Sequence, residues 1–244
     1  MTLLTTQSLS RHFGGLVAVD SVDFALERGE IRAVIGPNGA GKTTLVGMIC
    51  GRIEPSSGRI AFGGHDITRL KAWQRVALGI AYTFQITSVF LNLTCFDNVA
   101  LAAQRSRSWA RHQWWPSGDG ALEHDVAGAL DRVGLSARRD ELASTLSYGH
   151  QRLLEMAIGL ALKPKLLILD EPTQGLSESE IVDFCSLVRD IAKDATVLLI
   201  EHNMDVVMEL AHRVTVMNDG RILAEGAPAD IAANAEVQRA YLGA

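Results

Sequence analysis

The stretch Gly36-Pro37-Asn38-Gly39-Ala40-Gly41-Lys42-Thr43-Thr44-Leu45 constrains this chain more than any other part of it. Three glycines within six residues lose much conformational freedom on folding and give a core nothing to pack. The run from Gly36 to Thr43 follows G-x-x-x-x-G-K-[ST], preceded by a strand-like apolar run, 31–36, and followed by a helix-like one, 43–50. In that context the glycines let the backbone curl, so that successive N–H groups face inward as an anion nest at a helix N-terminus. Lys42 is then expected at the β and γ phosphates of a nucleotide, the Thr43 hydroxyl at Mg²⁺, and Thr44 at the α phosphate. Asn38 and Gly39 suit turn geometry as well as function.

Two further apolar runs, KLLILDE (165–171) and TVLLIEH (196–202), are without polar alternation, like IRAVIG (31–36). Such runs fit strands buried on both faces of a parallel sheet. Ligands of open α/β sheets bind beyond the carboxyl ends of the strands. A glycine-rich loop, an Asp-Glu pair and a Glu-His pair delivered to that edge therefore point to one site. Asp170 is expected to coordinate Mg²⁺ and Glu171 to polarise an attacking water. Two adjacent carboxylates in apolar surroundings repel each other unless a cation offsets them. His202 ends its run within reach of a γ-phosphate; His12, His65, His112, His124 and His212 have no such placement and read as surface residues.

Around this core, 16–31 and 56–67 read as antiparallel strands and hairpins, and 214–226 as a hairpin around Asp219-Gly220. The stretch from about 92 to 163 reads as helical, with helices in 95–105, 123–135 and 151–162, the last stopped by Pro164. The fold class expected is α/β: a parallel-sheet core, a small antiparallel β layer and an inserted all-helical subdomain.

Composition sets outer limits. A chain of 244 residues with 48% apolar side chains can bury a sizeable core. The net charge of −5 argues against a dedicated nucleic-acid binder. Cys50, Cys95 and Cys185 are scattered, giving neither a disulfide framework nor a metal-ligand spacing, and a reducing cytosol is expected. The start, MTLLTTQSLSR, lacks a secretion-signal pattern, and no uncharged apolar run nears the roughly 18 residues that span a bilayer.

Together these pieces resemble the ATP-binding-cassette (ABC) ATPases over essentially the whole chain. GPNGAGKTT resembles their Walker A loop, LLILDEP the Walker B strand, YTFQ the Q-loop, LSYGHQR (146–152) the signature motif, and His202 the switch histidine. The resemblance implies a P-loop NTPase (RecA-like) core, 1–91 and 164–244, with about 92–163 as the helical subdomain carrying the signature. It also implies that Phe13 stacks on adenine, that Gln85 senses Mg²⁺ and couples to a transmembrane partner, and that Ser147 and Gly149 grip the γ-phosphate held by a second cassette. The loop residues Gly36, Pro37, Asn38, Gly39, Ala40, Gly41, Lys42, Thr43 and Thr44 would hold ATP, with Thr43, Gln85 and Asp170 around Mg²⁺.

RHFGGLVAVDSVDF, TFQITSVFLNLTCFDNV, IEHNMDVVM and the ending RAYLG are similar to one branch, the ATP-binding subunits of importers for branched-chain amino acids and related small polar solutes. That likeness implies permease subunits, a second ATPase chain and, indirectly, a solute-binding protein as partners, no nucleic acid, and a place on the cytoplasmic face of the membrane. ATPases that export lipid-linked material share a similar YLG ending, and soluble cassette proteins share the catalytic motifs. Tyr148 and His150 replace a Gly and the Gln of the family's LSGGQ, and Ser177 stands where the family's D-loop has Asp or Asn. The segment 105–120, rich in Trp and Arg, reads as an exposed insertion, a lipid or partner contact, or a stacking surface for single-stranded nucleic acid.

Overall fold

In the computed structural model, the described residues are 1–83, 88–110 and 119–242. The chain opens with two long antiparallel strands, β1 (Thr2–Phe13) and β2 (Leu16–Glu27), then enters the buried β3 (Ile31–Ile35) and α1 (Lys42–Cys50). There follow β4 (Ser57–Phe62), β5 (His65–Asp66), α2 (Ala72–Leu78) and β6 (Ile80–Thr83). Three helices come next: α3 (Cys95–Ala110), α4 (Asp119–Arg132) and α5 (Tyr148–Ala161). The second half alternates β7 (Leu166–Asp170), α6 (Glu178–Ile191), β8 (Thr196–Ile200) and α7 (Met204–Leu210). It closes with β9 (Arg213–Asn218), β10 (Arg221–Gly226), α8 (Pro228–Ala233) and α9 (Ala235–Leu242).

Two sheets result. One is antiparallel, in the order β2-β1-β4-β5; the other runs β10-β9-β3-β8-β7-β6 and is parallel except for β10 against β9. Successive side chains of a strand point to opposite faces, and here both faces are covered. Ile31, Leu167, Leu169, Val197 and Leu199 pack toward the helices, with Leu154, Ala157, Val188 and Val99. Val34, Leu166, Ile168, Leu198 and Ile200 pack toward α1 and the antiparallel sheet, with Leu45, Ile49, Phe24 and Ile60. Double coverage is why the three core strands are largely apolar; in β3 the exception, Arg32, is buried in bonds to Glu30, Thr215 and Glu225. A third cluster closes the β3–β9 edge with Val207, Ile231 and Val237.

The architecture is the expected α/β fold, with its antiparallel layer and its helices. The 95–105 pattern continues to Ala110 in α3, and the 123–135 pattern shifts toward the N-terminus as α4. The helix read from Gln151 begins a turn earlier, at Tyr148, because Ser147 caps it. Of the Trp/Arg-rich segment, 111–118, including His112, lies outside the described residues.

Candidate functional site

The glycine-rich loop joins the end of β3 to the start of α1. Gly36 and Gly41 have φ of +151° and +96°, and neither has room for a side chain. A Cβ on Gly36 would lie 2.2 Å from the Met217 carbonyl oxygen, and one on Gly41 2.3 Å from that of Ala18. The loop is also stapled to the β9–β10 hairpin tip. The Gly220 N–H donates to the Ala40 carbonyl at 3.1 Å, while its own carbonyl accepts from the Asp20 N–H at 2.8 Å. Gly41 caps α1 without a side-chain bond, and Leu45 N–H bonds its carbonyl at 2.9 Å. The N–H groups of Lys42, Thr43 and Thr44 precede that first bond and have no carbonyl within the helix to bond. This is anion-binding geometry, with the helix dipole adding to it.

A cleft of about 420 Å³ lies over this loop, lined by Phe13, Leu16, Val17 and Ala18, by residues 38–44, and by Glu171 and His202. The Lys42 ammonium, 6% exposed, donates to the Gly36 and Pro37 carbonyls at 2.7 and 3.0 Å. Burial lowers its pKa, and the nearby Glu171 and Asp170 charges oppose that shift. Phe13 is exposed at the mouth, with the Arg11 guanidinium 4.5 Å from its ring centroid.

β7 delivers the carboxylates. Asp170 is buried, and its Oδ2 accepts from the Tyr82 hydroxyl at 2.6 Å. Burial raises the Asp170 pKa above the usual carboxylate value; the Tyr82 bond, Arg52 and Lys42 work the other way. At Glu171 the backbone turns into the left-handed region, φ +48°, held by its N–H bond to the Ile200 carbonyl at 2.9 Å. A side chain at such φ is costly and clusters at functional sites. Its Oε1 lies 2.9 Å from His202 Nε2, so β7 and β8 bring the acid and the histidine into contact at the sheet edge.

The donor chemistry fits Mg²⁺. Among the described residues no group of three or more His, Cys, Asp or Glu side chains could hold a metal. Mg²⁺ typically takes one or two protein oxygens and completes its shell with water and substrate phosphates. The Thr43 hydroxyl and the buried, incompletely compensated Asp170 carboxylate supply such oxygens. Gln85 lies outside the described residues.

Ser147 and Gly149 do not line this cleft. Ser147 caps α5, accepting from the His150 N–H at 3.3 Å, with its Oγ 2.8 Å from His150 Nδ1. Gly149 packs against α6, where an added Cβ would meet Glu180 Oε1 at 2.2 Å. Tyr148 lies over Gly175 in the loop after β7. The three residues that depart from the family pattern thus have contacts within the chain: Tyr148 covers that loop, His150 meets Ser147, and Ser177 forms a capping box with Glu180 at the start of α6. His12, His65, His124 and His212 are exposed as expected, although His212 Nδ1 accepts from the Ile31 N–H at 3.1 Å.

Sequence reasoning placed Tyr82, Arg152 and Glu201 within motifs but gave none of them an individual role. Arg152 on α5 donates to the Glu171 carbonyl at 3.5 Å and pairs with Glu155 at 3.0 Å. Glu201 carried a signal, an acid closing a buried run beside His202; Tyr82, in a four-residue strand, carried none.

Residues 19–174 match the protein family described as ABC transporter, and 221–244 match the one described as branched-chain amino acid ATP-binding cassette transporter. The chain is 35% identical to the high-affinity branched-chain amino acid transport ATP-binding protein BraF of Pseudomonas aeruginosa, covering 99% of this chain and 98% of that one. It is 36% identical to LivG of Escherichia coli, a protein of the same description, over the same shares. Among solved structures, a nucleotide-free ATP-binding cassette from an ABC transporter superposes with a TM-score of 0.89 at 29% identity, over 100% of both chains. An ADP conformation of an ABC transporter cassette gives 0.88 at 29% identity, also over 100% of both.

Proposed function

This chain belongs to the ABC transporter family of ATP-binding cassettes, and from that membership we propose that it is the ATP-hydrolysing subunit of a membrane importer for branched-chain or similar amino acids. One observation carries the chemistry: a single cleft gathers the helix-terminal nest, Lys42, and the contacting pair Glu171 and His202. The cargo class rests on near full-length likeness to BraF and LivG and on the C-terminal match at 221–244.

Hydrolysis in such a site is mainly positioning and charge stabilisation. The nest N–H groups hold the β and γ phosphates, and Phe13 offers its ring to the adenine. Lys42 leaves the Gly36 and Pro37 carbonyls for phosphate oxygens; its partial desolvation strengthens that interaction. Thr43 and Asp170 would hold Mg²⁺, which would supply charge neutralisation at the phosphates. Glu171 orients the attacking water, and His202 turns from Glu171 toward the γ-phosphate.

Ser147 and Gly149 stand apart from the cleft, so the signature serves the nucleotide of a second cassette packed head to tail. Among the described residues no helix is long and apolar enough to cross a membrane. In this reading, which rests on the likeness to BraF and LivG, contact with the bilayer runs through permease subunits at the cytoplasmic face.

Glu171→Gln is expected to bind ATP with near-normal affinity and to lose about 100-fold or more in turnover. Trapped with ATP in its native membranes, it should co-purify with a polytopic permease. Recovery of soluble partners alone, or near-normal turnover, would contradict the transport and the catalytic assignment respectively.

A further inference from the structure

We infer that Glu201 is a positioning residue for hydrolysis, one carboxylate that locks the loop carrying Glu171 to the loop carrying His202. The inference rests on the catalytic assignment of those two residues. Glu201 follows β8 and is 3% exposed. Its Oε1 accepts from the Thr173 N–H at 3.2 Å and from the Thr173 hydroxyl. Its Oε2 accepts from the His202 N–H at 2.7 Å and the Asn203 N–H at 3.0 Å. Each oxygen thus serves one loop.

The chemistry requires an anion here. Burying a carboxylate is costly unless it is well bonded, and among the described residues its four donors are all uncharged. An amide of the same shape offers one acceptor oxygen and, in place of the other, an NH₂ group that cannot accept. Glutamine could hold one loop only, facing N–H donors of the other with a donor of its own.

The ties also end where they matter. Thr173 lies two residues beyond Glu171, and the His202 main chain is itself a partner. With that main chain fixed, the imidazole can exchange Glu171 for a phosphate oxygen by side-chain rotation alone. Through Thr173 the same carboxylate reaches the loop, 173–177, that leads to the Ser177 cap and lies under Tyr148. A displacement of that loop is passed to His202 through one side chain.

Steady-state ATPase kinetics, nucleotide affinity measured with a fluorescent ATP analogue, and a double-mutant cycle test this. Glu201→Gln should lower kcat by about tenfold, the scale of one lost charged hydrogen bond. The dissociation constant for the analogue should stay within about twofold, because ground-state binding lies in the nest. Glu201→Gln combined with His202→Ala should be no slower than His202→Ala alone, since residues acting through one another are not additive. Thr173→Val, which keeps Glu201 intact and is the milder change for folding, should lose more kcat than Thr173→Ser. Wild-type kcat in Glu201→Gln, multiplicative losses in the double variant, or affinity falling in step with kcat would each overturn the clamp. Normal turnover in both Glu171→Gln and His202→Ala would instead remove the assignment beneath it.

Discussion

Single atoms decide whether the phosphate loop can exist. Gly41 sits at a φ that other residues adopt only with strain, and its missing Cβ leaves room for the Ala18 carbonyl. Gly41→Ala should destabilise the fold by about 1–3 kcal/mol and sharply reduce ATP affinity, as thermal melting and nucleotide titration would read. Asp170 illustrates the opposite tension, between stability and use. Burial raises its folded pKa above its unfolded value, so the native state binds that proton more tightly. Stability therefore falls as pH rises through the window above the ordinary aspartate value, and the cost of the ionised form persists at neutral pH. Asp170→Asn still accepts from Tyr82 but carries no charge. The nucleotide-free variant should melt higher than wild type near pH 7, with the gain shrinking as pH falls into that window, while hydrolysis is abolished. At this scale the sequence was informative where chemistry imposed a pattern, as at Lys42, Thr43, Asp170 and His202. It gave no role to Tyr82 or to the grip of Glu201 on Thr173, because hydrogen bonds between segments distant in the chain leave no local spacing to read.

Elements differ in how plainly they are written. β3, β7 and β8 are doubly covered and therefore largely apolar without alternation, which made them legible. β1 is equally long-range but escaped, since its register with β2 shifts repeatedly and Ser8 takes a left-handed φ of +44°, breaking the two-residue period. β6, with four residues, is too short to show one. α6 did carry a readable start, because Ser177 and Glu180 obey the S-x-x-E pattern of a capping box and bond each other's backbone N–H. Ser177→Ala removes one half of that box and should lower stability by about 1 kcal/mol. A thermal or urea midpoint unchanged from wild type would show that the cap contributes nothing.

At the scale of the whole molecule, the phosphate-loop cleft and the head of α5 lie apart on one chain. The nest, Glu171 and His202 meet in one cleft, while Ser147 is exposed at the head of α5 outside it. If two cassettes complete each other, ATPase activity at saturating ATP should rise faster than linearly with chain concentration until pairing is complete. Strict proportionality down to high dilution would mean that each chain works alone.

The resting position of Lys42 has a consequence for speed. Its ammonium bonds two carbonyls of its own loop, so the loop's own contacts hold its shape. Arrival of ATP is then an exchange of partners, oxygen for oxygen, with little ordering entropy left to lose on binding. A cassette that must empty and refill on every transport cycle can do so without its binding loop melting in between.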